Sequence, residues 1–242
     1  FCGWVRVGHR PAENTLSVTV SESLLPVLPE VLARIKNLFD LYCEPEAVYE
    51  TLQVMNTLQP GLCVLGTRLP GCFNVFEMSV RAVLGQQITV KAASTLAARL
   101  VAVYGTQVQT GIEGLTHSFP APAAILALGE NISEHLGKLG IISARANTIY
   151  QLARVLADEK NDFGFCGNPE EEMQKLQAIR GIGSWTAQYI AMRAMGWPDA
   201  FLPTDAGIKK ALPDHTPKEL QVLSEAWRPW RSYATVNLWN TL

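Results

Sequence analysis

Hydrophobic and polar residues alternate along the first twenty positions of the chain. Leu16, Val18 and Val20 fall on one face of an extended segment, and the threonines and the serine between them fall on the other. A second alternating stretch precedes a turn at residues 8–14, so the pattern predicts a β-hairpin with one solvent-exposed face. Two strands alone are only marginally stable. We therefore expect the hairpin to complete a sheet whose other strands are missing from this chain.

From residue 29 onward the apolar spacing has the period of an α-helix. In the first such segment Val31, Ile35 and Leu38 recur every three or four positions, which places them on one helix face. Capping and breaking residues divide the remaining chain into short helices, predicted at residues 29–41, 45–58, 76–84, 89–104, 122–128, 143–156, 169–179, 184–195, 216–227 and from 229 onward. Strands and helices do not alternate, which excludes a Rossmann fold and a β/α barrel.

The pattern therefore predicts a mainly α-helical protein with two parts. Residues 1–58 form part of an N-terminal α+β domain, and residues 59–242 form a helical region. The chain begins with Phe1 and ends within a helical pattern, so we expect it to be a piece of a longer protein. No apolar run is long enough to span a membrane, and the first residues do not have the pattern of a signal peptide.

The composition is that of a globular protein, with 48% hydrophobic and 17% charged residues. The net charge of −2 is more informative. A protein that binds nucleic acid through general electrostatic attraction carries a clear excess of basic residues. If this chain binds DNA, the contacts must come from well-placed backbone donors and a few cations.

Five cysteines are spread along the chain, and they are Cys2, Cys43, Cys63, Cys72 and Cys166. None belongs to a CxxC pair or to a cluster of cysteine and histidine. Their odd number and wide spacing argue against a disulfide framework, a zinc site and an iron–sulfur cluster. We expect the protein to work in a reducing compartment.

The sharpest local motif is Gly181-Ile182-Gly183, which separates two predicted helices. Glycines allow backbone amides to face outward with no Cβ in the way, and amides at the N-terminus of a helix attract anions. A nucleic-acid phosphate is a natural ligand for such a turn. From the glycine spacing alone, however, a plain turn between two helices is the better explanation.

Two further features could carry chemistry. Asp205 follows an apolar segment with a proline and begins a short helix, which on its own is explained by helix N-capping. Trp185 and Tyr189 lie four positions apart, on one helix face, and five of the six tryptophans lie beyond residue 184. Ordinary core packing explains most of these aromatic residues. An electron-rich pocket for a flat or cationic ligand is the more specific alternative.

In combination these motifs resemble the helix–hairpin–helix superfamily of base-excision DNA glycosylases, and within it the enzymes that act on 3-methyladenine. The similarity is carried by residues 76–88 (FEMSVRAVLGQQI), 181–187 (GIGSWTA), 201–205 (FLPTD) and 227–234 (WRPWRSYA), and it extends over nearly the whole chain. It implies a TBP-like α+β N-terminal domain, of which only part is present, followed by two helical subdomains with the active cleft between them. The helix–hairpin–helix itself would lie at about residues 170–196.

The resemblance also assigns roles to individual residues. Asp205 falls on the catalytic aspartate. Trp185, Tyr189 and Trp239 fall on aromatic residues that line the pocket for the base. Gln87 falls on the wedge that fills the space left by the flipped base.

Other roles implied by the resemblance concern the hairpin and the pocket rim. The amides that hold a DNA phosphate would belong to Gly181, Gly183 and Thr186. A structural sodium or potassium ion would be bound by backbone carbonyls near Gln177, Ile179 and Ile182. In the best-known member a leucine stands at the position of Gln87 and a pocket tyrosine at that of Asn240, and we expect these departures to affect substrate preference more than activity.

The resemblance implies an enzyme that flips alkylated purines out of double-stranded DNA and releases them by hydrolysis, leaving an abasic site. It implies no required cofactor, a monomeric state and a cytoplasmic location in a bacterium. Three alternatives remain: a non-catalytic DNA-binding module, a purely structural bundle, and a bifunctional glycosylase with strand-nicking lyase activity. Such a lyase uses a lysine at the start of the helix after the hairpin, and this chain has Trp185 there.

Overall fold

The computed structural model describes residues 1–157 and 168–242. Its N-terminal hairpin pairs β1 (Val5–Arg10) with the antiparallel β2 (Thr15–Val20), and Val5 lies opposite Val20. The reversal is a single 3-10 turn that ends at Asn14, whose φ of 49° lies in the left-handed region. Asparagine tolerates this conformation because its short polar side chain can hydrogen-bond locally. The predicted hairpin is present, with a shorter turn than residues 8–14.

One face of the hairpin is covered by the helix that follows it. Helix α1 (Leu28–Leu38) directs Val31 and Ile35 toward the valines at positions 5, 7, 18 and 20. Leu24, in the 3-10 segment before this helix, completes the small core. This packing of a helix against one face of two strands is the α+β piece that the alternating pattern predicts.

The rest of the described chain consists mostly of short helices joined by turns. Helix α2 (Pro45–Leu52) continues into a 3-10 turn (Gln53–Thr57). The helices that follow are α3 (Val75–Leu84), α4 (Val90–Tyr104), α5 (Pro122–Leu126), α6 (Ile132–Gly137), α7 (Ser143–Leu156), α8 (Pro169–Gln177), α9 (Ser184–Ala194), α10 (Ala206–Ala211), α11 (Pro217–Leu223) and α12 (Arg231–Trp239). The mainly α-helical fold class is thereby confirmed.

Side-chain caps explain why several of these helices begin where they do. Asn74 accepts a hydrogen bond from the backbone N–H of Glu77 (2.8 Å), and Thr89 caps α4 in the same way. Thr216 and Glu219 form the predicted capping box at the start of α11. Each cap provides an acceptor for an N–H that has no partner inside the helix.

One expectation about this helical region is wrong. The pattern predicts only helices within residues 59–242, but β3 (Thr106–Gln107) pairs with β4 (His117–Ser118) in a small antiparallel sheet. Two residues in each strand are too few to produce a detectable alternation of polar and apolar positions.

Two hydrophobic cores lie on either side of α9. The first packs α3, α7 and α9 together and fully buries Val80, Ile149 and Ile190. The second packs the C-terminal helices around Trp227, and Met192 of α9 belongs to it. This arrangement confirms two helical subdomains, with α9 at their boundary.

The segment from 45 to 57 packs with the second core. Val48, Leu52 and Met55 are buried there, against side chains of the C-terminal helices. Nearby, the Tyr233 hydroxyl on α12 donates a hydrogen bond to Oδ2 of Asp40 (2.9 Å). Burial raises the pKa of the Tyr233 phenol, so the group remains a hydrogen-bond donor. These contacts join the N-terminal part of the chain to its last helix.

A buried ion pair fixes the start of that helix. Asp199, in the loop after α9, accepts hydrogen bonds from Nε (2.7 Å) and Nη2 (2.8 Å) of Arg231. The hydroxyl of Ser232 donates to the carbonyl of Trp197 in the same loop (2.7 Å). Trp239 lies about two helical turns further along α12. The ion pair therefore helps to set the position of Trp239.

Within residues 1–157 and 168–242, no helix is both long and apolar enough to cross a membrane. The same residues contain no group of three His, Cys, Asp or Glu side chains arranged to hold a metal ion. The cysteines at positions 2, 43, 63 and 72 are free, and Cys166 lies outside the described residues.

We predict that Asp199→Ala lowers the free energy of unfolding by about 3 kcal/mol, because the buried guanidinium of Arg231 loses both hydrogen bonds to Asp199 and keeps only the longer contact with the half-exposed Glu225 (3.4 Å). Urea denaturation measures this change. Glu13→Ala is the matched control, since Glu13 pairs with Arg10 on the exposed hairpin. Its effect should stay within about 1 kcal/mol. Equal effects of the two substitutions would contradict the role given to the buried pair.

Candidate active site at the junction of the helical subdomains

The hairpin of residues 178–183 joins α8 to α9, and its two glycines serve different purposes. Gly181 has a φ of +97°, and a Cβ there would lie 2.1 Å from Oγ1 of Thr148 on α7. Gly183 has an extended backbone, and a Cβ at this position would meet no atom within 4 Å. The fold therefore requires glycine at 181, whereas Gly183 leaves space open for an approaching ligand.

The N-terminus of α9 has no side-chain cap, unlike α3, α4 and α11. The first N–H groups of a helix have no acceptor within it, and Gly183 and Ser184 are exposed. The side chain of Thr186 is buried and turned inward, where its hydroxyl accepts a hydrogen bond from Nε2 of Gln86 (3.0 Å). The candidate anion site of the hairpin therefore consists of backbone amides, without the Thr186 hydroxyl.

Asp205 is the N-cap of α10, and its carboxylate is buried at 9% exposure. Its Oδ1 accepts hydrogen bonds from the backbone N–H groups of Gly207 (2.8 Å) and Ile208 (3.1 Å), as N-capping predicts. Two indole N–H groups also donate to this carboxylate, Trp239 to Oδ1 (2.8 Å) and Trp185 to Oδ2 (3.0 Å). A plain cap needs no indole partners, so the carboxylate is part of a larger constellation.

Three aromatic side chains surround this carboxylate. The rings of Trp185 and Tyr189 are stacked, with centroids 5.1 Å apart and an interplanar angle of 8°. The ring of Trp239 lies 6.3 Å from that of Tyr189, tilted by 50°. All three side chains are only partly buried. The structure thus brings the predicted pocket residues together around Asp205, from helices α9 and α12.

Sequence reasoning missed one residue that makes this arrangement possible. A Cβ on Gly207 would lie 2.7 Å from Cδ1 of Trp239 and 3.0 Å from Oδ1 of Asp205. Only glycine therefore lets the indole approach the carboxylate at the start of α10. The available signal was weak: a glycine near the start of a helix, where glycine is a poor helix former.

Gln87 lies in the turn between α3 and α4, next to the hairpin. Its φ of 54° is unusual for a residue other than glycine, and its side chain is exposed. Such strained positions occur frequently at sites that act on a ligand. Asn240, in contrast, follows the last residue of α12 and is exposed. The position of Gln87 is compatible with a wedge that projects from the protein surface.

Several cations near Gln87 and the hairpin have no acidic partner within the described part of the chain. Lys91, Arg99 and Arg145 line an open groove that begins beside Gln87, and Arg180 is exposed next to Gly181. No carboxylate within residues 1–157 and 168–242 forms an ion pair with any of these four. Their charges are therefore available to an external anion.

The carbonyls predicted to bind a monovalent cation lie at the end of α8 and in the hairpin. The carbonyl of Ile179 accepts a hydrogen bond from the N–H of Ile182 (3.0 Å). Among the described residues, none donates a hydrogen bond to the carbonyl of Gln177 or Ile182. Carbonyl oxygens without donors are suitable ligands for a hard cation.

Helix α9 links two features of the site: its N-terminus follows the hairpin with the exposed Gly183, and its Trp185 donates a hydrogen bond to the buried carboxylate of Asp205. This combination is characteristic of DNA repair proteins that work on single bases. The chain belongs to the HhH-GPD superfamily of base excision DNA repair proteins, whose family model matches residues 80–231. The model of the AlkA N-terminal domain matches residues 2–74.

Relatives agree with this assignment. The chain is 38% identical to DNA-3-methyladenine glycosylase 2 of Escherichia coli over 95% of its own length and 78% of the relative's. It is 40% identical to a probable bifunctional transcriptional activator/DNA repair enzyme AlkA of Mycobacterium tuberculosis, and there it spans only 42% of the relative's length. The solved structure of a 3-methyladenine DNA glycosylase from Archaeoglobus fulgidus has the same fold, with a TM-score of 0.78 and 22% identity, covering 97% of this chain and 81% of that one.

The geometry of the two glycines predicts different outcomes for the same substitution. Gly183→Val should preserve the fold and weaken binding to duplex DNA of any sequence about tenfold, because it obstructs charge-assisted hydrogen bonds from the backbone to phosphate. Gly181→Val should instead lower the melting temperature, because of its positive φ and the contact with Thr148. Fluorescence anisotropy and thermal unfolding distinguish the two effects. Unchanged DNA affinity in a folded Gly183→Val variant would show that the hairpin only connects two helices and does not bind phosphate.

Proposed function

We propose that this chain is a monomeric DNA glycosylase that releases alkylated purines of the 3-methyladenine type from double-stranded DNA by hydrolysis. The observation that carries the proposal is the carboxylate of Asp205, held by the indole N–H groups of Trp185 and Trp239 beside the stacked ring of Tyr189. All of these side chains come from one chain, so the site needs no second subunit. The name and substrate of the E. coli relative point to the same class of lesion.

The aromatic residues suit an alkylated purine better than a normal one. Alkylation of a ring nitrogen gives the base a positive charge, and a cationic ring stacks favourably on electron-rich aromatic faces. The base must first leave the duplex, which costs a few kcal/mol. A pocket formed by Trp185, Tyr189 and Trp239 offsets part of this cost for a cationic base. The charged base is also a good leaving group, so the enzyme needs little acid catalysis.

Asp205 would act on the sugar. As the bond between C1′ and the base breaks, positive charge develops on the sugar ring, and a fixed negative charge beside it lowers the barrier. The four N–H donors hold the carboxylate in one orientation. From that position it can also orient the attacking water.

Because the net charge is −2, binding to DNA would rely on a few specifically positioned amides and cations that contact phosphates. The backbone amides of the hairpin would hold one phosphate of the damaged strand. Further phosphates would face Lys91, Arg99, Arg145 and Arg180, which form no ion pair with any acid that the structure describes. A sodium or potassium ion on the carbonyls of Gln177 and Ile182 would add positive charge to the hairpin. The hydrolysis itself uses water and requires no organic cofactor.

Replacing Asp205 with asparagine tests the catalytic role. The substitution removes the negative charge. It also replaces one acceptor oxygen with an NH2 group, which cannot accept a hydrogen bond, so the indole N–H of Trp185 or Trp239 loses its acceptor. We expect release of 3-methyladenine to fall at least about a hundredfold, as for other electrostatic groups in active sites, with DNA affinity nearly unchanged. Chromatography of bases released from methylated DNA measures the rate.

Asp214→Asn is the matched control for this experiment. It makes the same change of charge at an exposed position a short distance along the chain, and it should leave the rate unchanged. Excision at a near-normal rate by Asp205→Asn would overturn the assignment of Asp205.

We infer that the enzyme leaves the strand intact. A lyase needs a neutral amine in a desolvated pocket, beside the sugar. Lys209 and Lys210 on α10 are exposed. Lys175 is paired with Glu172 (2.6 Å), and this hydrogen bond raises the pKa of the Lys175 amine, which keeps it protonated. Trp185 occupies the position at which lyases of this class carry their lysine.

Borohydride trapping on a damaged duplex tests this inference. We expect no covalent adduct between protein and DNA, and an abasic product that breaks only after treatment with alkali. A known lyase run in parallel shows that trapping works. An adduct in good yield, abolished by Lys209→Ala or Lys210→Ala, would instead establish a bifunctional enzyme.

A further inference from the structure

We propose that Gln86 is a positioning residue that couples the wedge at Gln87 to the hairpin that holds the phosphate. The inference deepens the proposed function and rests on it. The side chain of Gln86 bridges two distant parts of the chain, and none of the roles described above involves it.

The side chain of Gln86 joins the wedge turn directly to the hairpin. Its Nε2 donates hydrogen bonds to the carbonyl of Gly181 (2.9 Å) and to Oγ1 of Thr186 (3.0 Å). A carbonyl oxygen can only accept, which settles the orientation of the amide. The two acceptors flank Gly183 in the sequence, so one amide nitrogen contacts both ends of the segment 181–186 that would hold the phosphate.

Helix α7 supports the same connection from a third direction. Arg145 donates a hydrogen bond from Nη2 to the main-chain carbonyl of Gln86. Three residues further along the helix, the hydroxyl of Thr148 reaches the carbonyl of Arg180 (2.9 Å). Positions three apart lie on one helix face. A single face of α7 therefore holds both the wedge turn and the hairpin.

These contacts fix the distance between the two elements that must act on DNA together. The hairpin binds a phosphate of the damaged strand, and the wedge must enter the base stack at a defined distance from that phosphate. Gln87 is held with a φ of 54° in a turn that Gln86 and Arg145 restrain. Without the restraint, part of the binding free energy would be spent on ordering the turn before the wedge could enter.

The coupling predicts a specific pattern of rates. Gln86→Met keeps the length and volume of the side chain but removes both hydrogen bonds to the hairpin. We expect single-turnover excision from a stable base pair to slow about tenfold, the equivalent of two ordinary hydrogen bonds. Excision of the same base from a mismatch should slow much less, because flipping there is cheaper. Fluorescence of 2-aminopurine beside the lesion should report a smaller flipped fraction, while affinity for undamaged duplex stays the same.

Gln86→Glu tests the direction of the hydrogen bonds. It is nearly isosteric but places a carboxylate oxygen against the Gly181 carbonyl, so it should disturb flipping at least as much as Gln86→Met. Gln109→Met and Gln109→Glu are the matched controls, since Gln109 is exposed and lies outside the site. Both control variants should behave like the parent protein.

A double-mutant cycle with Gln87→Ala decides whether Gln86 acts through the wedge. If it does, Gln86→Met adds little in the Gln87→Ala background, because coupled residues are not additive. Additive effects, or equal slowing on paired and mismatched substrates with a lower melting temperature, would overturn the proposal and leave Gln86 a structural residue. If the parent protein releases no alkylated base from any substrate, the proposed function itself fails, and the two failures are thus distinguishable.

Discussion

The structure depends above all on one buried carboxylate. Burying a charge is costly unless hydrogen bonds replace its hydration, and Asp205 obtains them from three helices: the N-terminus of α10, Trp185 on α9 and Trp239 on α12. Each of these helices must therefore be placed correctly for the acid to be stable. The same requirement brings the aromatic rings to the carboxylate, so the stability of the acid and the shape of the pocket have one physical cause.

The two hydrophobic cores position different parts of the candidate site around this acid. The second core, with the Asp199–Arg231 pair, holds the last helix and thereby Trp239. The first core holds the parts that would handle DNA, because α7 contacts both the turn at Gln86 and the hairpin at Arg180. Helix α9 contributes to both cores: its N-terminus carries the amides of the candidate anion site, and its first turns carry Trp185 and Tyr189. A phosphate at the hairpin would in this way be held at a set distance from the acid.

The small negative net charge of the chain, −2, is consistent with this arrangement. A protein that held DNA by general attraction would need many cations. Here a few cations near the Gln87 turn and the hairpin have no acidic partner in residues 1–157 and 168–242, while others are neutralised by acidic neighbours. In the proposed function, recognition would depend on how closely a phosphate, a flipped base and the wedge fit one rigid frame. Such a frame would favour a base that leaves the stack easily and carries positive charge.

The sequence by itself determined the local features: the alternation of the N-terminal hairpin, the starts of the capped helices, and the chemical character of Gly181, Gly183 and Asp205. These follow from period, capping and backbone freedom, which act over a few residues. Only the tertiary structure decided that α2 packs with the C-terminal helices and that Gln86 contacts Gly181, 95 residues away. It also decided that the absence of a Cβ at Gly207 lets the indole of Trp239 contact Asp205. No local pattern encodes such contacts, because they exist only once the two cores have placed distant segments side by side.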